Sequence, residues 1–475
     1  KPGNHGDWFQ KVPLVEITAD PAMRLDISGG KTPLSLAYKT DMVAASYRVV
    51  PMTDIRSSEM VFVGFGINAP ERGWNDYAGV DVKGKTVIIL INDPDYETKG
   101  LKGPFEGRAM TYYGRWTYKY EEAARQGAAA ALIVHDTFPA AYPWGVVVSS
   151  WTGPQLGLDA ANNHMDDTQA NGWITGDAAA RLMAAAGKSL PQLVAAAKKK
   201  GFKAVPLGLK ANLSFANSVR RQASNNVVGI LPGKTHPDEY VIYSAHWDHL
   251  GRCEPINGDG ICNGALDNAT GTGGLIALAE AHAKAGAADR SIVFLSVTAE
   301  ESGLLGSAYY GANPVFPLNQ TVGGINMDGL NVIGRTRDVT VVGIGKSELE
   351  PILARYAKAQ GRVITPEASP EKGSFFRSDH FSLAKYGVPM IYFGSGEDMT
   401  EGGQAAGHAA REDYTTNRYH KPQDEYRADW NWSGAIEDLT LNYEIGRELA
   451  GGAGWPNWYP SAEFRGIRDK SRAGK

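Results

Sequence analysis

Glu239-Tyr240-Val241-Ile242-Tyr243-Ser244-Ala245-His246-Trp247-Asp248-His249 is the stretch that decides how this chain is read. Its first six residues are rich in β-branched and aromatic side chains and predict a strand. The strand runs directly into a His-x-Asp triplet. His246 and Asp248 are two positions apart, so on an extended backbone they point the same way. A metal-ligating imidazole usually gives its second N–H to a carboxylate or carbonyl that fixes its orientation, and Asp248 stands where it could do this for His246.

The same pattern recurs downstream. Residues 226–231, 291–297 and 322–327 are further apolar runs of strand length, and helices are predicted over 273–284 and 349–360. A turn at 232–237 joins the runs 226–231 and 239–244. Strands alternating with helices imply an α/β sheet covered on both faces, whose ligands sit beyond the carboxyl ends of the strands. Thr298-Ala299-Glu300-Glu301 and Asp328 follow two of these runs, and Asp267 lies in Ala265-Leu266-Asp267-Asn268-Ala269-Thr270-Gly271, just ahead of a helix. His420 comes late, in Tyr419-His420-Lys421-Pro422.

Each of these residues has an ordinary reading alone. An Asp before a helix is commonly an N-cap, a Glu-Glu pair a solvated surface feature, and a single His a structural one. Their recurrence past successive strands points elsewhere. Two His and three carboxylates suit zinc, and no thiolate set is present for a structural site. His246, Asp267, Glu301, Asp328 and His420, with one carboxylate shared, give two ions three protein donors each and leave room for solvent or substrate. Glu300 is adjacent to Glu301, and the two side chains can diverge. Glu300 could then act as general base toward a water at the site.

Taken in order, His246-Trp247-Asp248, Asp267-Asn268, Glu300-Glu301, Asn326-Met327-Asp328 and His420 resemble the motif series of the co-catalytic di-zinc exopeptidases. These are the enzymes of the bacterial leucyl aminopeptidase and glutamate carboxypeptidase type. The resemblance covers roughly residues 206–450. It implies an α/β fold with a mixed, mostly parallel central sheet flanked by helices. It also implies two Zn2+ ions, with His246 and Asp328 completing one site, Glu301 and His420 the other, and Asp267 bridging. By the same resemblance Glu300 is the acid or base and Asp248 orients His246. Tyr392, at the end of a predicted strand over 388–393, would help hold the oxyanion, although a strand Tyr is more often a core residue. Asp379 and His380, in Phe376-Arg377-Ser378-Asp379-His380-Phe381, either reach the substrate or cap the helix predicted over 381–385.

The implied activity is removal of N-terminal residues from peptides. A carboxypeptidase of the same architecture would need cations for a terminal carboxylate, for which Arg377 and Lys421 are the candidates. A glutaminyl cyclase or a non-catalytic receptor-like relative would lack part of the ligand set, and none is missing here. No Gly-x-Ser-x-Gly elbow suggests a serine hydrolase.

Residues 51–205 differ in texture, with short β runs at 60–65, 86–91 and 130–135 and helices predicted over 120–126, 177–186 and 190–200. Gly127-Ala128-Ala129-Ala130-Ala131-Leu132-Ile133-Val134 resembles the core of a protease-associated domain, which shapes access to a cleft and is not catalytic. The expected organisation is an N-terminal segment 1–50, this module over 51–205, and a peptidase domain over 206–475, in keeping with the two or three domains that 475 residues suggest.

A net charge of -4 gives no basic face for nucleic acid, and no apolar run approaches the ~18 residues of a spanning helix. The two cysteines, Cys253 and Cys262, are nine apart in one Gly/Asn/Pro-rich loop. They are either a local disulfide, fitting an oxidising compartment, or two free thiols. With a first residue Lys1 rather than Met, the expectation is a secreted or periplasmic protein whose signal peptide has been removed. The Asn-x-Ser/Thr sequons at Asn212, Asn268, Asn319 and Asn431 are read as chance, since a glycan on Asn268 would block the site. Oligomeric state and side-chain preference are not written in these patterns.

Overall fold

The computed structural model describes residues 1–473. Two compact units emerge among the described residues: residues 13–223 with 369–373, and residues 1–12 with 224–368 and 374–473. The strand Val205–Leu231 gives residues to both. The expected limits at 50 and 205 therefore differ from these. Residues from Pro13 onward belong with the first unit, and Val205–Ala216 pair antiparallel with Met52–Phe62 within it.

In the first unit the buried strands Thr86–Leu90, Ala130–His135 and Ala170–Thr175 run parallel. They are mostly apolar because both faces are covered. Met42–Ala45 adds an antiparallel edge to Ala170–Thr175. The helix Trp116–Arg125 starts four residues before the predicted one. Aromatics fill its first turns, and Tyr118 and Tyr120 are held by burial rather than by helix propensity.

The second unit holds the sheet that matters for function. Its strand order is Val363–Pro366, Asp338–Val341, Met390–Ser395, Thr321–Asn326, His236–His246, Arg290–Val297 and the end of Val205–Leu231. The four pairings His236–His246 with Arg290–Val297, His236–His246 with Thr321–Asn326, Thr321–Asn326 with Met390–Ser395 and Asp338–Val341 with Val363–Pro366 are parallel. The other two are antiparallel. This is the mixed, mostly parallel sheet expected. The strand His236–His246 is central, and Tyr240 to His246 are buried without a break. Helices Gly271–Ala285, Leu349–Ala359 and Ser433–Gly451 lay Leu275, Leu278, Leu353, Leu441, Ile445 and Leu449 on a core with Val241, Tyr243, Ile292 and Ile325. Each such fully buried aliphatic side chain contributes about 1.5–3 kcal/mol. Gly446 is required for this contact, since a Cβ there would collide with the Tyr243 hydroxyl.

Candidate metal centre

Strand register assembles the site. His246 pairs across from Val297, and Ser244 from Asn326. The segments that continue past these three strand ends, with His246, Glu300–Glu301 and Asp328, therefore leave the sheet side by side. Asp267 arrives from the turn before helix Gly271–Ala285, and His420 from the loop after helix Gly403–Asn417.

His246 Nε2 lies 3.3 Å from Asp267 Oδ1 and 3.2 Å from Asp328 Oδ1. His420 Nε2 lies 3.4 Å from Asp267 Oδ2 and 3.1 Å from Glu301 Oε2. The two oxygens of Asp267 thus face two different imidazoles. Donors bound to one tetrahedral zinc at ~2.0–2.1 Å stand about 3.3 Å apart, which is the spacing of both groups. His420 Nε2 has no hydrogen-bond partner among the described residues despite two carboxylates within 3.4 Å. Donors stand this way when they share an ion instead of pairing with each other. The residues present fit zinc.

Burial opposes charge on these groups, yet their neighbours win. Burial lowers His246, but Asp267 and Asp328 beside it raise it well above its ordinary value. Burial likewise lowers His420, and Asp267 and Glu301 lift it to about 9. Burial raises Asp267, but the two imidazoles hold it below the carboxylate range. Glu301 is also held low, with His249 and His420 outweighing burial. Bound zinc would replace the protons these imidazoles attract. Glu300 goes the other way: burial, then the charges of Asp328 and Asp379, push it well above the usual carboxylate value.

Asp248 does not meet His246 through its carboxylate as expected. His246 Nδ1 faces the Asp248 backbone carbonyl at 3.1 Å, while Oδ1 is 3.8 Å away. The strand ends at His246, and the backbone carbonyl two residues on lies against the ring. The carboxylate instead accepts the backbone N–H of Glu300 at 3.0 Å and of Glu301 at 3.3 Å. Tyr392 reaches the site, but its hydroxyl donates to the Asp328 carbonyl at 2.7 Å, so its one proton is already committed. Asp379 is buried at the start of helix His380–Ala384, where its side chain makes no cap hydrogen bond, and burial lifts it to about 7. The capping alternative for Asp379 is therefore set aside.

Three residues that hold the site were not foreseen. Ser378 donates to Asp328 Oδ2 at 2.6 Å and accepts from Asn326 Nδ2 at 2.8 Å. Asp424 accepts the N–H groups of Leu266 and Asp267 at 2.9 and 3.1 Å. His249 joins Asp267 and Glu301 in a cluster of potential donors. The sequence signal for His249 was its place one residue past Asp248, and for Asp424 its place four past His420. Asn268 is buried, with its amide bonded to Met327, Gly271 and Gly329. Cys253 and Cys262 form a disulfide across the hairpin Gly251–Ile256 and Asp259–Cys262.

Strand ends that deliver His246, Glu301 and Asp328 beside loops that carry Asp267 and His420 define a metallopeptidase-type site. Residues 226–443 match the model of peptidase family M28. A stretch of 129 residues is 34% identical to aminopeptidase NAALADL1 of Mus musculus, covering 26% of this chain and 16% of that protein. The Rattus norvegicus protein of the same name matches to the same extent. The chain thus spans about a sixth of the length of these relatives. Among solved structures, the aminopeptidase from Aneurinibacillus sp. strain AM-1 is 20% identical, with 94% of this chain and 85% of that chain covered and a TM-score of 0.47. BSAP, a zinc aminopeptidase from Bacillus subtilis, is 18% identical, with coverage of 96% and 88% and a TM-score of 0.38. Among the described residues no helix is long and apolar enough to cross a membrane.

Proposed function

We propose that the chain is a two-zinc aminopeptidase, with His246, Asp267 and Asp328 holding one ion and Asp267, Glu301 and His420 the other. The observation that carries this reading is the placement of the two Asp267 oxygens, one toward each imidazole. Zinc bound there would polarise the scissile carbonyl and lower the pKa of water at the site. Glu300 takes a proton from the attacking water and returns it to the leaving amine. Burial holds its pKa above the usual carboxylate value, the direction that suits a carboxyl group passing a proton on to the leaving amine. Asp248 fixes the backbone on which Glu300 and Glu301 stand.

Carboxyl groups beyond the ligands, which can accept from an amine, favour a substrate with a free α-amino group. Asp248, Glu300 and Asp379 add carboxyl groups to the three that would bind zinc. The cations a carboxypeptidase would use are engaged or turned outward: Lys421 Nζ donates to the Thr416 carbonyl, and Arg377 is exposed. The disulfide supports an exported protein, and the strand Ala130–His135 supports the protease-associated reading of its unit. The test is a panel of aminoacyl arylamides beside N-acetylated peptides. Hydrolysis of the free-amine substrates alone is expected; cleavage of N-blocked peptides from the carboxyl end would replace aminopeptidase by carboxypeptidase.

A further inference from the structure

The carboxyl ends of three parallel strands in the first unit open on a cavity of about 360 Å³. Strands Thr86–Leu90, Ala130–His135 and Ala170–Thr175 are paired with Leu90 beside Val134 and His135 beside Thr175, so they end on one edge. In open α/β sheets ligands bind in the crevice beyond that edge, and the volume falls within the range of small-molecule sites. The floor is apolar, with Phe65, Leu90, Ile91 and Val134 all buried. Leu190 and Val194, on helix Leu190–Ala197, add a half-buried apolar wall. Every lining residue belongs to the first unit, so none is shared with the proposed metal centre.

The polar lining is rich in acceptors. His135 is 5% exposed. Its Nε2 stands 3.0 Å from the Tyr142 carbonyl, which can only accept, so Nε2 carries the ring proton. Burial lowers the His135 pKa and keeps the ring neutral at pH 7. Nδ1 is then a lone-pair acceptor, with no hydrogen-bond partner among the described residues. Trp144 and Trp173 meet the ring edge to face, with centroids 5.5 and 6.2 Å away. Asp136 gives one oxygen to the Phe138 N–H at 3.2 Å and keeps the other. Asp177 stands exposed in the first turn of helix Gly176–Ala185. Among the described residues no Lys or Arg lines the cavity, and Lys198, over the Tyr96 ring, is tied to Glu97 at 2.7 Å.

We propose that this cavity binds a protonated primary amine carried on an apolar side chain, as at the N-terminus of a peptide. The side chain lies on the floor of Phe65, Leu90 and Val134, and the ammonium donates to His135 Nδ1 and to the carboxylates of Asp136 and Asp177. An ammonium offers three N–H donors and no acceptor, which matches a lining of three acceptor groups. A carboxylate on the ligand would meet no cation among the lining residues, and this disfavours a free amino acid. Service to their helices accounts for where the two Asp residues stand. It does not account for a buried imidazole that lines the same cavity with its acceptor nitrogen unpaired.

The test is calorimetric titration of the full chain with 3-methylbutylamine, which is leucine without its carboxyl group and has no peptide bond to cleave. Its N-acetyl derivative and leucine itself are the comparison ligands. The variants are Val194→Trp, which fills the cavity, and Asp136→Asn with Asp177→Asn, which keeps the helix-capping oxygens and removes the charges. The metal centre is the same in all three proteins, so any amine binding there persists in each and subtracts out. The expected result is a binding event in the wild type that is absent in Val194→Trp and about 10-fold weaker in the double Asn variant. The N-acetyl derivative and leucine should bind more weakly than the amine. No such event in the wild type, or an equal one in Val194→Trp, would overturn the site. An N-acetyl derivative bound as tightly as the amine would overturn recognition of the ammonium, and leucine bound as tightly would overturn the choice of a peptide N-terminus over a free amino acid. Thermal unfolding checks that each variant is folded, and the double Asn variant keeps the test decisive if Val194→Trp is not.

Discussion

Asp248 Oδ1 accepts the backbone N–H of Glu300 at 3.0 Å, so the residue expected to steer an imidazole fixes the backbone of the proposed base. Its other oxygen accepts from Glu301. Asp248→Asn leaves one acceptor and turns an NH₂ toward the other N–H. The expected outcome is a folded protein with metal affinity or kcat/KM lowered about 10–100-fold. Steady-state kinetics and zinc content measured together check it. Wild-type values for both would mean that the two N–H contacts do not hold the site.

Glu300 and Glu301 are neighbours in sequence with opposite electrostatic settings, one pushed up and one held low. Glu300→Gln should keep both ions and lower kcat by roughly 10²–10⁴-fold, the range of general acid–base catalysis. Glu301→Gln should weaken one ion, because an amide is a poor zinc ligand. Zinc stoichiometry of the two variants side by side decides the assignment, and loss of zinc in Glu300→Gln alone would reverse it.

The sheet was legible in the sequence because its strands are buried on both faces and read as apolar runs. Residues 291–297 and 322–327 were placed to within one residue of strands Arg290–Val297 and Thr321–Asn326. The five metal-type residues were legible because each closes or follows such a run or stands in a motif. What was not legible depends on loops meeting in space. Asp424 reaches Leu266 across 158 positions of sequence and Ser378 reaches Asp328 across 50. Helices Gly403–Asn417 and Ser433–Gly451 were missed as well. Gly, Thr and Asn interrupt both, and the second is held by burying Leu441, Ile445 and Leu449.

Away from the site, Arg362 and Asp438 form a buried ion pair at 2.8 Å, with side chains 3% and 2% exposed. Ser395 donates twice to Asp438 Oδ2, at 2.8 Å from both N and Oγ. Asp438→Ala leaves the guanidinium charged and uncompensated in the core, which should destabilise the fold by about 3–5 kcal/mol. Chemical denaturation compared with the wild type measures this. A loss below ~1 kcal/mol would show that water or another carboxylate reaches Arg362.

His282 is fully buried on helix Gly271–Ala285, with Nε2 2.9 Å from the Tyr243 hydroxyl. Burial first, then the Arg447 charge, lowers its pKa from 6.5 to about 4. The native state therefore keeps His282 neutral where the unfolded chain already binds a proton. Its contribution is fully present above pH 6.5 and is lost as pH falls toward 4, by up to about 3 kcal/mol. Unfolding free energies between pH 4 and 7 should show a steeper acid-side decline in the wild type than in His282→Gln. Parallel profiles would contradict this.

The most direct test of the central claim is zinc titration of the metal-free chain, wild type beside Asp267→Ala and His246→Ala. Asp267 offers one oxygen to each imidazole-bearing side of the site, so it alone should matter to both ions. The account predicts two ions per wild-type chain, both weakened in Asp267→Ala, and one weakened well before the other in His246→Ala. A single ion in the wild type, or one ion retained at wild-type affinity in Asp267→Ala, would contradict a two-zinc centre built on a shared Asp267.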